Sequence, residues 1–188
     1  MNRGIQNASA LTSGTLSSSR GGDIRIDTPS LTVRDGGIVS TVTVQATGTG
    51  RAGNINMVAN SIALDTKGSI DGTTVSGTGA NINLQARDIQ LRHNSRITTD
   101  ASTSDGGNIN INSDILVALP QENSDITANA RTAGGGRVNI NVPNVFGFTA
   151  ASREQVRSSL GFSDTQFAAL QVIPFLQIYA TVAIADRI

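Results

Sequence analysis

Five times along the chain a polar, an apolar, a second polar and a second apolar residue follow one another, in four copies directly after a glycine. The copies read Gly22-Asp23-Ile24-Arg25-Ile26, Gly53-Asn54-Ile55-Asn56-Met57, Asn81-Ile82-Asn83-Leu84, Gly107-Asn108-Ile109-Asn110-Ile111 and Gly136-Arg137-Val138-Asn139-Ile140. Their anchors, Ile24, Ile55, Ile82, Ile109 and Val138, are spaced by 31, 27, 27 and 29 positions. Seven positions after each anchor stands another apolar residue: Leu31, Ile62, Ile89, Leu116 and Val145. A fixed offset inside a nearly fixed period is the mark of a repeat architecture.

Each unit carries three short apolar rows. The first alternates around the anchor; the second holds Leu31 and Val33, Ile62 and Leu64, Ile89 and Leu91, then Leu116; the third is expected at Ile38, Ile70, Ile97 and Ile126. Alternation with period two predicts strands with one buried face. Gly-rich turn formers lie between the rows, among them Asp35-Gly36-Gly37 and Lys67-Gly68-Ser69.

Antiparallel hairpins give no reason for residue types to recur at one phase. A parallel β-helix does, because equivalent positions become neighbours about 4.8 Å apart. The residue after the anchor then forms a column, Arg25, Asn56, Asn83, Asn110 and Asn139, in which Asn amides can hydrogen-bond rung to rung. The expected fold is all-β: a right-handed parallel β-helix of about five coils of 27–31 residues, three strands per coil. Ten positions after successive anchors stand Arg34, Asp65 and Arg92, an acid expected between two bases, read as setting register.

Residues 1–148 form the repeat region, with 1–20 resembling the tail of a preceding coil. From Thr149 the pattern stops, and no sixth anchor stands near Asp164 to Gln166. Ser152 with Gln155, and Ser163 with Gln166, have capping-box spacing and predict short helices at 152–160 and 164–172. After Pro174 the residues Leu176, Ile178, Ala180, Val182 and Ile184 alternate as a strand. Residues 149–188 are therefore expected to be a non-repeat cap or an aberrant tail. The apolar stretch there is too short and too interrupted for a membrane span.

The chemistry is sparse. Lys and Arg number 14, Asp and Glu 14, with the signs interspersed, which argues against a nucleic-acid-binding face. Cysteine is absent, so disulfides and thiolate metal sites are excluded. His93, the one histidine, falls in an expected turn beside Asn94 and reads as solvated rather than catalytic. Asp23, Asp65, Asp88, Asp100, Asp105 and Asp125 fall at different phases, so paired-carboxylate catalysis is not expected. The glycines match neither calcium-binding nonapeptides nor a phosphate loop. No catalytic, cofactor-binding or metal-ligating residue is assigned, and no cofactor. The Asn column Asn56, Asn83, Asn110, Asn139 reads as structural laddering ahead of an ice- or glycan-binding surface. No signal peptide follows Met1, so the chain is either not exported or begins upstream.

Two stretches carry a family resemblance. The run from Leu84 through Asp88-Ile89-Gln90-Leu91-Arg92-His93-Asn94 to Thr99 resembles repeats of filamentous-hemagglutinin-like exoproteins. So does Gly106-Gly107-Asn108-Ile109-Asn110-Ile111 running on through Leu119-Pro120-Gln121-Glu122-Asn123-Ser124-Asp125-Ile126 to Ala130. The resemblance covers roughly residues 20–148 and extends to the cyanobacterial S-layer family. It implies a secreted β-helical shaft, export through an outer-membrane transporter of the two-partner type, an outer cell-surface location, and adhesion to host or cell-surface glycans or proteins. The chain departs from that family in lacking a signal peptide and an N-terminal secretion domain, and in ending its repeats after Thr149. A non-enzymatic adhesin-like stalk is the expected function. A β-helical polysaccharide lyase or hydrolase, or a non-functional gene remnant, is the alternative.

Overall fold

The computed structural model describes residues 8–16, 19–43, 50–75, 77–102, 105–130 and 135–148, and the backbone of 182–184. Along the chain the strands are β1 (Ala10–Thr15), β2 (Ile24–Val33), β3 (Ile38–Thr43), β4 (Ile55–Leu64), β5 (Ser69–Asp71), β6 (Ile82–Gln85) and β7 (Asp88–Leu91). They continue with β8 (Arg96–Thr98), β9 (Ile109–Asn112), β10 (Ile115–Ala118), β11 (Asp125–Thr127), β12 (Val138–Asn141), β13 (Asn144–Phe146) and β14 (Val182–Ile184). The one helical element among the described residues is a 3-10 turn at Pro120–Glu122.

Every strand pairing is parallel, and each joins equivalent positions of successive repeats. Ile24 pairs with Ile55, Ile55 with Ile82, Ile82 with Ile109 and Ile109 with Val138. In the second row Leu31, Ile62, Ile89, Leu116 and Val145 stack in the same way. The third row is its own sheet, in the order β1-β3-β5-β8-β11. This is a parallel β-helix. Five anchors delimit four complete turns with partial coils at either end, so the expected count of five coils is corrected to four.

Rows one and two are a single continuous strand in β2 and β4, then split into β6 and β7, and into β9 and β10. Pro29 lies inside β2, where it lacks an N–H. It is accommodated because β2 pairs with β4 alone among the described strands.

Ile55, Ile82, Ile109 and Val138 are fully buried and Ile24 is nearly so, each removing about 2 kcal/mol of apolar surface from water. Ile62, Ile89 and Leu116 fill the core from the second row, and Val39, Ile70, Ile97 and Ile126 from the third. Val39, not Ile38, is thus the third-row residue of the first coil. Ile38 pairs with Ser69, whereas Val39 pairs with Ile70 at the offset of 15 from the anchor that the second and third coils keep.

The corner between rows two and three is a stacked column of turns with two left-handed residues each. Asp35 and Gly36, Thr66 and Lys67, and His93 and Asn94 all have φ between 46° and 74°. Gly37, Gly68 and Ser95 close these turns by donating to Arg34, Asp65 and Arg92 at 2.8, 2.9 and 3.2 Å, the hydrogen bond of a type I′ turn. In the fourth coil two extra residues form the 3-10 turn, and Asn123 (φ 50°) takes the left-handed position above Asn94.

The sixth row-one position is filled by β14, whose Val182 pairs with Val138. The expected strand after Pro174 is observed over Val182–Ile184. Its earlier residues and both expected helices, 152–160 and 164–172, lie outside the described residues.

Candidate functional site

Alternation along row one turns the residues on either side of each anchor outward. Asn56, Asn83, Asn110 and Asn139 stack as a ladder, the Nδ2 of each of the last three donating to the Oδ1 one coil earlier at 2.8 Å. A second ladder runs through Asn54, Asn81 and Asn108. There each Oδ1 accepts from the next backbone N–H and the next Nδ2, at 3.1–3.4 Å. It is continued at one end by Asp23, which accepts from the Asn54 N–H at 2.6 Å, and at the other by the Arg137 N–H donating to Asn108 at 3.0 Å. A third pair, Asn141 to Asn112 at 3.0 Å, follows two positions on. Only the first column is named as a ladder from the sequence; Asn54, Asn81 and Asn108 also share one phase, one residue before each anchor, which is the signal that marks the second.

A carboxamide has two donors and two acceptor lone pairs. Along the central ladder Asn83 and Asn110 each spend one of each, so one N–H and one lone pair per rung are left outside the ladder. The result is a lattice of amides, with rungs about 4.8 Å apart along the stack and about 6.6 Å apart along each strand. At its upper end a groove of about 960 Å³ opens, lined by Thr78, Asp105, Asn108, Asn110, Arg137 and Asn139.

Charged side chains gather at the turn column. Arg92 grips Glu122 with Nε and Nη2 at 2.5 and 2.6 Å, a bidentate pair across one coil. Glu122 also accepts from the His93 backbone N–H at 3.1 Å. The His93 ring stands between two acids, Nδ1 at 2.6 Å from Asp65 and Nε2 at 3.2 Å from Glu122. Arg92's hydrogen bonds hold the Glu122 carboxyl down at about 2. The contact with His93 lowers Asp65 as well. The expected Arg34, Asp65, Arg92 column is therefore corrected: Arg92 turns to Glu122, Arg34 lies against Asp35 at 3.5 Å, and Asp65 takes His93. The two-residue insertion in the fourth coil brings Glu122 to Arg92, and a bidentate partner outcompetes a single stacked carboxylate.

A further pair of acids sits at the end of row three, Asp71 as the last residue of β5 and Asp100 two residues past β8. Asp100 is pushed up by burial, and the nearby Asp71 charge adds to the effect. Its Oδ1 accepts the Asn129 N–H at 2.9 Å, while Asp71 accepts the Thr73 N–H at 2.9 Å and the Thr73 hydroxyl. These acids differ by two positions in phase, Asp71 standing 16 and Asp100 18 residues after their anchors, and the loop after β8 brings Asp100 within electrostatic reach of Asp71.

Among the described residues no group of three or more His, Asp or Glu is arranged to hold a metal ion, and no helix is long and apolar enough to cross a membrane. No family model, no curated protein and no solved structure matches the chain.

Proposed function

We propose that the chain is a non-enzymatic shaft segment of an extracellular, adhesin-like β-helical protein that presents its sides as a binding surface. The observation that carries this reading is the unbroken parallel register of rows one and two through four turns, with a regular polar lattice on the outside. Such a stack is a quasi-one-dimensional element whose length and lateral faces are its functional assets. The resemblance of residues 20–148 to filamentous-hemagglutinin-like repeats supports a secreted, cell-surface setting. It also supports delivery through an outer-membrane transporter of the two-partner type.

The Asp71–Asp100 pair favours one second reading, a polysaccharide-active enzyme, because a raised carboxyl beside another carboxylate is the arrangement of a general acid. Both acids already cap turns through Thr73 and Asn129, which supports a structural role instead. The deciding measurement is release of reducing ends from a panel of polysaccharides by the purified chain. No release is expected; release that disappears in Asp100→Asn defeats the shaft reading.

A further inference from the structure

We propose that the amide lattice of row one binds a neutral, linear polysaccharide. This inference deepens the binding-surface role proposed above and rests on it.

The hydrogen-bonding capacity left outside the ladders defines the partner. Asn83 and Asn110 each donate once and accept once within the central ladder. Each keeps one donor and one acceptor for a ligand. Hydroxyl groups combine donor and acceptor on one atom and satisfy both at once. A carboxylate supplies acceptors only, and a peptide backbone carries its donor and its acceptor on separate groups.

Charge narrows the choice. The outward positions of the second, third and fourth coils are Asn54, Asn56 and Val58, then Asn81, Asn83 and Gln85, then Asn108, Asn110 and Asn112; Val58 is the one apolar member and none is charged. Formal charges flank this field at Asp23, Arg25 and Asp27 in the first coil, and at Asp105 and Arg137 beside the groove, acid and base together. A polyanion finds no row of cations here. A neutral polyol meets a surface of its own polarity.

Regularity narrows it again. Identical rungs at a constant spacing match a polymer of identical units better than a compact ligand. The groove at the end of the lattice is of a size that holds a few sugar rings. The chain has no Trp, so no indole platform is available, and affinity comes from many modest hydrogen bonds summed along a polymer. Short oligosaccharides should therefore bind far more weakly than the polymer.

The test is co-sedimentation of the full chain with insoluble cellulose and insoluble chitin. It is compared with the variant Gln85→Ala/Asn112→Ala/Asn141→Ala, which alters one exposed column of the lattice and removes a single ladder bond. Circular dichroism confirms that both proteins are folded. The proposal expects retention of the parent on at least one matrix, insensitive to 0.5 M salt, and a bound fraction lower by about tenfold or more in the variant. No retention of the folded parent, equal retention of the variant, or retention abolished by salt overturns it. Release of soluble sugar from either matrix would instead overturn the non-enzymatic shaft reading, so the two failures are told apart.

Discussion

Gly107 lies directly over Ala80, so close that a Cβ on Gly107 would stand 1.7 Å from the Ala80 carbonyl oxygen. The same crowding recurs at the equivalent position of neighbouring coils, 2.1 Å between Gly53 and Gly22 and 1.7 Å between Gly136 and Gly107. The glycine that opens the repeat signature is thus required by backbone stacking. Ala80 is the exception, and its methyl takes space beside Gly72, where a Cβ would approach it to 2.5 Å.

Gly107→Ala should accordingly force two coils apart and cost about 1–3 kcal/mol or more. Gly135→Ala, whose Cβ would meet the Ala128 carbonyl at 3.1 Å and no other atom of the described residues, should stay within about 1 kcal/mol of the parent. Urea denaturation of the two variants checks the contrast; equal losses would mean that the stacked carbonyl is not the cause.

Ile82 is fully buried in the middle of the stack, between Ile55 and Ile109. Ile82→Ala should lose about 2–5 kcal/mol through transfer and cavity terms. Ile82→Asp places an unpaired charge there and should abolish folding. Wild-type circular dichroism and melting in the Asp variant would contradict the inward placement of the anchor.

Asn83 donates to Asn56 and accepts from Asn110, both at 2.8 Å. Asn83→Leu keeps the branched shape but removes both bonds, and at about 1 kcal/mol each it should destabilise by about 1–3 kcal/mol. Asn112→Ala, which loses a single exposed bond from Asn141, should cost less than about 1 kcal/mol. Thermal melts of both variants side by side test the ladder.

Glu122 is depressed from 4.5 to about 2 by Arg92. A carboxyl lowered in the folded state contributes stability that is present above its unfolded value and lost as pH falls through its folded value. The stability difference between the parent and Glu122→Gln should therefore be constant above about pH 5 and shrink between pH 4.5 and 2. Acid-dependent melting of the pair measures it, and a difference that persists at pH 2 would count against the Arg92 contact.

Asp100 runs the other way. Burial and Asp71 raise it, so its folded form favours the neutral acid. The contribution is fully present below the unfolded value of 3.8 and is lost as pH rises through the raised folded value. Asp100→Asn should then melt higher than the parent at neutral pH, with the gap closing in acid; a lower melting point at pH 7 would refute it.

Much of this architecture could be read from residue order alone. Ile24, Ile55, Ile82, Ile109 and Val138 keep one phase because a parallel stack puts equivalent residues against each other, so selection for packing writes the same residue type once per coil. The Asn56–Asn83–Asn110–Asn139 column was legible for the same reason. Position in the period was enough to place both.

Features that depend on how the chain turns between rows needed the tertiary structure. The choice of Val39 over Ile38 follows from a pairing register that neither residue's chemistry distinguishes. The grip of Arg92 on Glu122 depends on a two-residue insertion at one corner, and the electrostatic influence of Asp71 on Asp100 on the path of a loop. The return of the chain at Val182 to extend row one depends on a connection that carries no repeat. Sequence determined the strands, their inward faces and their stacking, because those obey a period of two inside a period of about 27–31. Only the folded coil decided which long polar side chains meet, because reach across corners has no period.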